Sequence, residues 1–339
     1  MTFKRLRFFV LMVVLAALSL AACQKDASTP TAASSPSPQG LEATVEPAPT
    51  ATATPIPATA TPAVLPPDPQ RVTFQGEHGT MVGYYYPADR PQAPVIVLMH
   101  WAPGDQRDWC LLAPWLQNRA AEHPALMPGC EEAIAKADPL PAWWDASWFP
   151  PMPEGTSYAV FTFDFPGFGE SKAAAYTDVT VRYQPHRQRE EWNISQGDLV
   201  AALETAAALS GVDSNRVVTV GVSIGADGAM EGCAAFNQLH AGAPRCVGAW
   251  AISPGDYLGL SFAEAVDTLG ARSPETVKWC ATSWSEKQSC TQAQDGLQQV
   301  ILFPKGHGMT FFGPSVYPMK PGRDATVMDF LLEFLQSLP

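Results

Sequence analysis

Basic side chains are scarce in this chain: 21 Lys and Arg stand against 33 Asp and Glu in 339 residues, a formal charge of −12. A protein that tracks phosphates needs a basic face, so a nucleic-acid partner is excluded. Charged residues of either sign make up only 16%, below the ~25% of an average soluble domain. Long apolar runs are lacking as well. The best candidate, Phe8 to Ala22, is shorter than the roughly 20 residues needed to cross a bilayer. No Cys-x-x-Cys pair occurs, which removes the usual zinc and thioredoxin-like signatures. Nor is there a Gly-x-x-x-x-Gly-Lys phosphate loop, a His-Glu-x-x-His or a calcium loop. No metal and no cofactor is therefore expected. Aromatic residues are plentiful, with 10 Trp and 16 Phe, and a chain that can bury so much apolar surface is not wholly unstructured.

The N-terminal residues read as an address and a tether. Lys4, Arg5 and Arg7 precede the apolar run, the positive-then-hydrophobic order of a secretory signal. The run ends in Leu20-Ala21-Ala22-Cys23, which resembles a bacterial lipobox. Residues 1–22 are then a lipoprotein signal peptide, and Cys23 becomes a lipidated N-terminus whose acyl chains give durable attachment. Removal of the signal takes the formal charge from −12 to −15, so attachment rests on the lipid and not on charge. Gln24 to Gln70 holds eleven prolines and no aromatic residue. Proline fixes φ and removes donors, so this stretch is expected to be an extended, disordered spacer. The expected location is the extracytoplasmic face of the cell membrane, by lipid anchor.

If Cys23 carries lipid, six cysteines remain: Cys110, Cys130, Cys233, Cys246, Cys280 and Cys290. An even remainder in an exported chain suggests disulfides, and six cysteines allow fifteen connectivities. Nearest-neighbour pairing closes the shortest loops and is the expected set.

Residues 71–339 read as one α/β domain. Pro94–Met99, Tyr158–Phe163, Arg216–Val220, Val247–Ile252, Thr276–Ala281 and Gln299–Phe303 are short apolar runs suited to strands buried on both faces. Val72–Gln75 and Met81–Pro87 suit an antiparallel pair at one edge. Helices are expected over Gln196–Leu209, Ser223–Phe236 and Asp324–Leu335, the last with Val327, Phe330, Leu331 and Phe334 on one face. Strands alternating with helices imply a mostly parallel sheet flanked by helices. Two segments interrupt the pattern. Asp105–Glu154, after the third strand, carries Trp109, Trp115, Trp143, Trp144 and Trp148; Lys172–Trp192 is polar. Such aromatics serve either as a lid or substrate wall, or simply to pack a long insertion down.

The chemistry concentrates at Gly221-Val222-Ser223-Ile224-Gly225, directly after a strand and before a helix. A sharp strand-to-helix turn strains the serine and lifts its Oγ out of the surface, and the glycines avoid collision with neighbouring backbone. The helix N-terminus beneath offers unpaired N–H groups to a developing negative charge.

Here the chain resembles the α/β-hydrolase family, and within it the dienelactone-hydrolase-like serine hydrolases, over essentially all of residues 71–339. His100-Trp101-Ala102 is similar to the His-Gly-x segment of the oxyanion loop, with Trp101 in place of glycine. Asp164-Phe165-Pro166-Gly167-Phe168-Gly169-Glu170-Ser171 and Phe303-Pro304-Lys305-Gly306-His307-Gly308 are similar to two further family segments. The resemblance implies nucleophile, acid and histidine in that chain order. It assigns Ser223 as nucleophile and His307 as base, with Ile224 and Ala102 giving the oxyanion-hole N–H groups. For the acid, the family positions read Trp284 and Ser285. Glu286 is the first carboxylate available, Asp256 is the alternative, and Asp295 is a more distant one. His100 is expected to tie its loop down and not to move protons.

The resulting expectation is a membrane-anchored, extracytoplasmic serine hydrolase, a carboxylesterase acting through an acyl-enzyme, with a small-molecule ester or peptide as substrate and the chain monomeric. A peptidase on the same fold remains open, as does a surface binding protein that has lost catalysis. A dehalogenase is disfavoured, because it needs a carboxylate where Ser223 stands.

Overall fold

Burial on both faces is what turns the apolar runs of this chain into strands. The computed structural model describes residues 66–119, 126–171, 194–258, 261–270, 275–315, 317–320 and 323–339. The signal, the tether up to residue 65 and the polar insertion 172–192 lie outside the described residues. The main sheet contains β1 (Gln70–Gly76), β2 (Gly79–Tyr86), β3 (Ala93–Met99), β4 (Ala159–Phe163), β5 (Val212–Val222), β6 (Cys246–Ile252), β7 (Val277–Ser283) and β8 (Gln299–Phe303). Their order across the sheet is β1-β2-β4-β3-β5-β6-β7-β8. β2 runs antiparallel to both its neighbours, and every other pairing is parallel. The edge pair and the mostly parallel sheet are as the sequence pattern implies.

Every residue of β3 is buried. Val95, Val97 and Met99 enter one hydrophobic layer while Ile96 and Leu98 enter the other, the alternation a strand imposes. In the loop following β3 lie α1 (Leu112–Leu116) and α2 (Cys130–Lys136), neither anticipated. Further along come α3 (Gln196–Ala207), α4 (Ile224–Leu239), α5 (Phe262–Gly270), the short α6 (Gln288–Gln292) and α7 (Val327–Gln336). Leu199 of α3, Met230 of α4 and Val266 of α5 pack into the first layer. Leu116 of α1 and Phe330 of α7 pack into the second. The sheet is thus covered on both sides, as parallel strands require.

The last helix begins at Val327, the first of its apolar positions and three residues later than the expected start at Asp324. Thr326 caps it, its side chain accepting from the Asp329 N–H while the Asp329 carboxylate accepts from the Thr326 N–H. Arg323–Ala325 instead form β10, paired antiparallel with β9 (Tyr317–Lys320). A reciprocal cap of this kind satisfies two donors at once and sets the start.

Three disulfides join Cys110 to Cys130, Cys233 to Cys246 and Cys280 to Cys290, the nearest-neighbour set. The Trp-rich insertion after β3 is tied to itself. Trp115, Trp144 and Trp148 donate their indole N–H groups to the carbonyls of Pro150 (2.7 Å), Arg107 (3.0 Å) and Ala142 (2.9 Å). Trp109 is fully buried, edge-on to Phe312. Of the two uses for these aromatics, packing is the one these contacts serve. No helix among the described residues is long and apolar enough to cross a membrane.

Candidate active site

Ser223 follows β5 directly and precedes α4. Its φ of 56° and ψ of −119° lie in a region that side-chain-bearing residues rarely occupy. The turn holds because its surroundings leave no alternative. The Ser223 N–H donates to the Ile252 carbonyl (2.8 Å) at the end of β6. A Cβ on Gly221 would run into the Gly225 carbonyl, and one on Gly225 would meet the Met99 and His100 carbonyl oxygens, the latter at 2.6 Å. Both glycines are therefore required by the closeness of backbone to backbone, and the loop after β3 is pressed against the turn at Ser223.

His307 arrives from the loop after β8. Its Nε2 lies 2.8 Å from Ser223 Oγ, and its Nδ1 lies 2.9 Å from Glu286 Oε2. A carboxylate has no proton to give, so the imidazole Nδ1 donates to Glu286 and Nε2 is left to accept from the serine hydroxyl. Ser223 is 5% exposed, whereas the His307 and Glu286 side chains are about one-third exposed or more, at 33% and 40%. Ser223 is enclosed, while both its partners reach the surface.

Glu286 directly follows Trp284 and Ser285, in the turn after β7. That turn is closed by hydrogen bonds from the Glu286 N–H to the Ser283 carbonyl (3.0 Å) and from the Trp284 N–H to the Phe303 carbonyl (2.9 Å). The Cys280–Cys290 disulfide brackets it. Asp256 is elsewhere engaged: its Oδ1 accepts the N–H of Phe262, the first residue of α5 (2.6 Å). Asp295 is exposed in a turn between α6 and β8.

Ile224 is the first residue of α4, where an N–H has no partner within the helix. Ala102 is buried in the loop after β3. That loop is pinned by His100, whose Nδ1 donates to the Trp101 carbonyl (2.8 Å) while its Nε2 accepts the Phe165 N–H (3.2 Å). Complete burial lowers the His100 pKa to about 4, so the ring stays neutral and both nitrogens are occupied. It is a tie between two loops. Trp101, where the family has glycine, turns its indole N–H onto Asp108 (2.9 Å) and packs edge-on against Trp143. Burial, reinforced by Asp105, pushes the Asp108 carboxyl up to about 7.

The Asp164 carboxylate organises the next turn. It accepts from the Gln106 N–H (2.8 Å), the Gln106 amide (2.9 Å) and the Glu170 N–H (2.7 Å); burial nonetheless raises its pKa to about 7. Ser253, at the end of β6, was not marked by any sequence pattern. Its hydroxyl accepts the Gly308 N–H (3.0 Å), one residue past His307. The only sequence hint was the Pro254-Gly255 turn that follows it. A cleft of about 250 Å³ lies by the insertion, lined in part by Leu111, Trp115, Phe149 and Met152. None of its lining residues belongs to the Ser223–His307–Glu286 cluster.

The strand order and the strand–turn–helix carrying Ser223 define the α/β-hydrolase fold. No family model and no curated protein sequence matches the chain. Solved structures do. An esterase from Pyrobaculum calidifontis is similar over 80% of this chain and 87% of its own, at 13% identity and a TM-score of 0.45. The dienelactone hydrolase from Anabaena variabilis is similar over 80% and 99%, at 11% identity and a TM-score of 0.44. A dipeptidyl peptidase 4 from Porphyromonas gingivalis is similar over 81% of this chain and 36% of its own, at 12% identity and a TM-score of 0.45. At such identities the likeness is one of fold.

Proposed function

We propose that this protein is a serine hydrolase that cleaves an ester through an acyl-enzyme. The observation that carries the reading is the continuous relay Ser223–His307–Glu286, with both hydrogen bonds below 3 Å. His307 takes the Ser223 proton as Oγ attacks the acyl carbon, then passes it to the leaving alkoxide; water repeats the cycle to free the acid. Glu286 keeps the imidazole in the required tautomer and stabilises the imidazolium. The oxyanion is received by the N–H groups of Ile224 and Ala102, each such donor lowering the barrier by roughly 3 kcal/mol. Export and anchoring through lipid on Cys23 complete the proposal, supported by the signal-like run and by three disulfides suited to an oxidising compartment.

A fluorophosphonate probe tests the chemistry. Wild-type protein should be labelled and Ser223→Ala should not; an unlabelled wild type would sink the hydrolase reading in favour of a binding protein. Turnover of p-nitrophenyl esters of increasing acyl length, set beside aminoacyl amides, separates esterase from peptidase.

A further inference from the structure

Three loops meet at a single peptide. The Gly308 N–H, immediately after His307, points onto the buried hydroxyl of Ser253 (3.0 Å). On its other side the six-membered ring of Trp101 lies so close that a Cβ on Gly308 would sit 2.8 Å from Cε3. Gly308 itself has a φ of +54°, so glycine is required there both by conformation and by space. Ser253 is held with equal firmness. It is 1% exposed, has a φ of +60°, and its own N–H donates to the Ala281 carbonyl of β7 (2.7 Å). A hydroxyl with this anchoring is a fixed acceptor, and it takes up the backbone N–H next to His307 in a loop whose Met309 and Phe311 are buried in the second hydrophobic layer.

From this arrangement we propose that Ser253 is a positioning residue for His307. This rests on the reading of Ser223, His307 and Glu286 as a catalytic relay, and adds a component to it. The His307 side of the loop has its own local lock, the N–H of His307 donating to Thr310 Oγ1 (2.8 Å) and Thr310 Oγ1 donating to the His307 carbonyl (2.8 Å). That lock shapes the turn but does not fasten it to the rest of the molecule. The bond to Ser253 does. Loss of the acceptor leaves a buried N–H unsatisfied, which that peptide relieves by moving. A displacement of the imidazole of order 1 Å is enough to cost about a hundredfold in rate.

The test separates the hydroxyl from the backbone strain at the same position. Ser253→Gly removes the acceptor while suiting the positive φ; Ser253→Thr keeps the acceptor while placing a β-branched residue where it is strained. The expected result is a crossed outcome. Ser253→Gly and Ser253→Ala should lose between about tenfold and a hundredfold in kcat with KM little changed. Ser253→Thr should keep most of the turnover and melt at a lower temperature. The second readout is the low-field proton resonance of the His307–Glu286 hydrogen bond, which should shift or vanish in Ser253→Gly and persist in Ser253→Thr. Unchanged kcat and an unchanged resonance in Ser253→Gly would overturn the proposal, as would activity that merely follows melting temperature across the three variants. Should the wild type prove inactive toward probe and ester alike, the hydrolase reading fails, and the resonance alone still decides whether Ser253 orders His307.

Discussion

At the scale of single residues, the two carboxylates that competed for one role can be told apart by substitution. Glu286 faces His307 across 2.9 Å, so Glu286→Gln should lower kcat on a p-nitrophenyl ester by about 10²–10⁴-fold, as loss of a triad acid does elsewhere. Asp256 receives a helix N–H instead. Asp256→Asn, which keeps an acceptor oxygen, should leave kcat within about threefold and stability in urea titration nearly unchanged. His100 makes a different kind of prediction. Its folded pKa is near 4 against an ordinary 6.5, so between those values the unfolded chain binds a proton that the folded one refuses. Stability from this site is therefore full above about pH 6.5 and falls as the solution is acidified, by about 3 kcal/mol between pH 7 and pH 4. His100→Gln retains a donor and an acceptor without titrating. Urea unfolding of the two proteins across that range should show the wild type losing its advantage; parallel curves would mean His100 is not held neutral.

At the scale of elements, the loop carrying Glu286 and its disulfide form one unit. Cys280–Cys290 encloses Glu286, whereas Cys233–Cys246 joins α4 to β6 away from the imidazole. The two close loops of similar length, 10 and 13 residues, so removing either should cost about 3 kcal/mol. Only Cys280→Ser with Cys290→Ser should also depress kcat, measured well below the melting temperature; equal losses of turnover in both double variants would argue against a local role. Strands were legible because a run such as Ala93–Met99, buried on both faces, leaves an unbroken apolar signature. The start of α7 was less so. The expected helix began at Asp324, three residues ahead of its first apolar position, while the Thr326–Asp329 cap and the pairing of Arg323–Ala325 with β9 decided the boundary. The elbow glycines could be read from the chain. Ser253 could not, since its partner lies 55 residues away and a contact between two irregular loops has no period. Which of Glu286, Asp256 and Asp295 reaches His307 likewise needed the loop conformation, because all three lie in turns outside the strands.

At the scale of the whole molecule, a formal charge of −12, or −15 without residues 1–22, gives no attraction to an anionic bilayer, so the proposed membrane attachment should depend on lipid at Cys23. Expressed with its N-terminal residues in a bacterial host, the protein should partition into the detergent phase of a phase-separating surfactant and incorporate labelled palmitate. Cys23→Ala should do neither; a variant that still enters the detergent phase would point to retention by the uncleaved apolar run.

Ser223, His307 and Glu286 follow β5, β8 and β7, all at the carboxyl rim of the parallel strands. The turn between α4 and β6 lies at the opposite, amino rim. At Ala241-Gly242, in the turn between α4 and β6, the chain is exposed, and a Cβ on Gly242 would meet nothing within 4 Å. An affinity peptide or fluorescent reporter spliced into that turn would ride at the rim opposite Ser223, leaving the approach to that side chain clear.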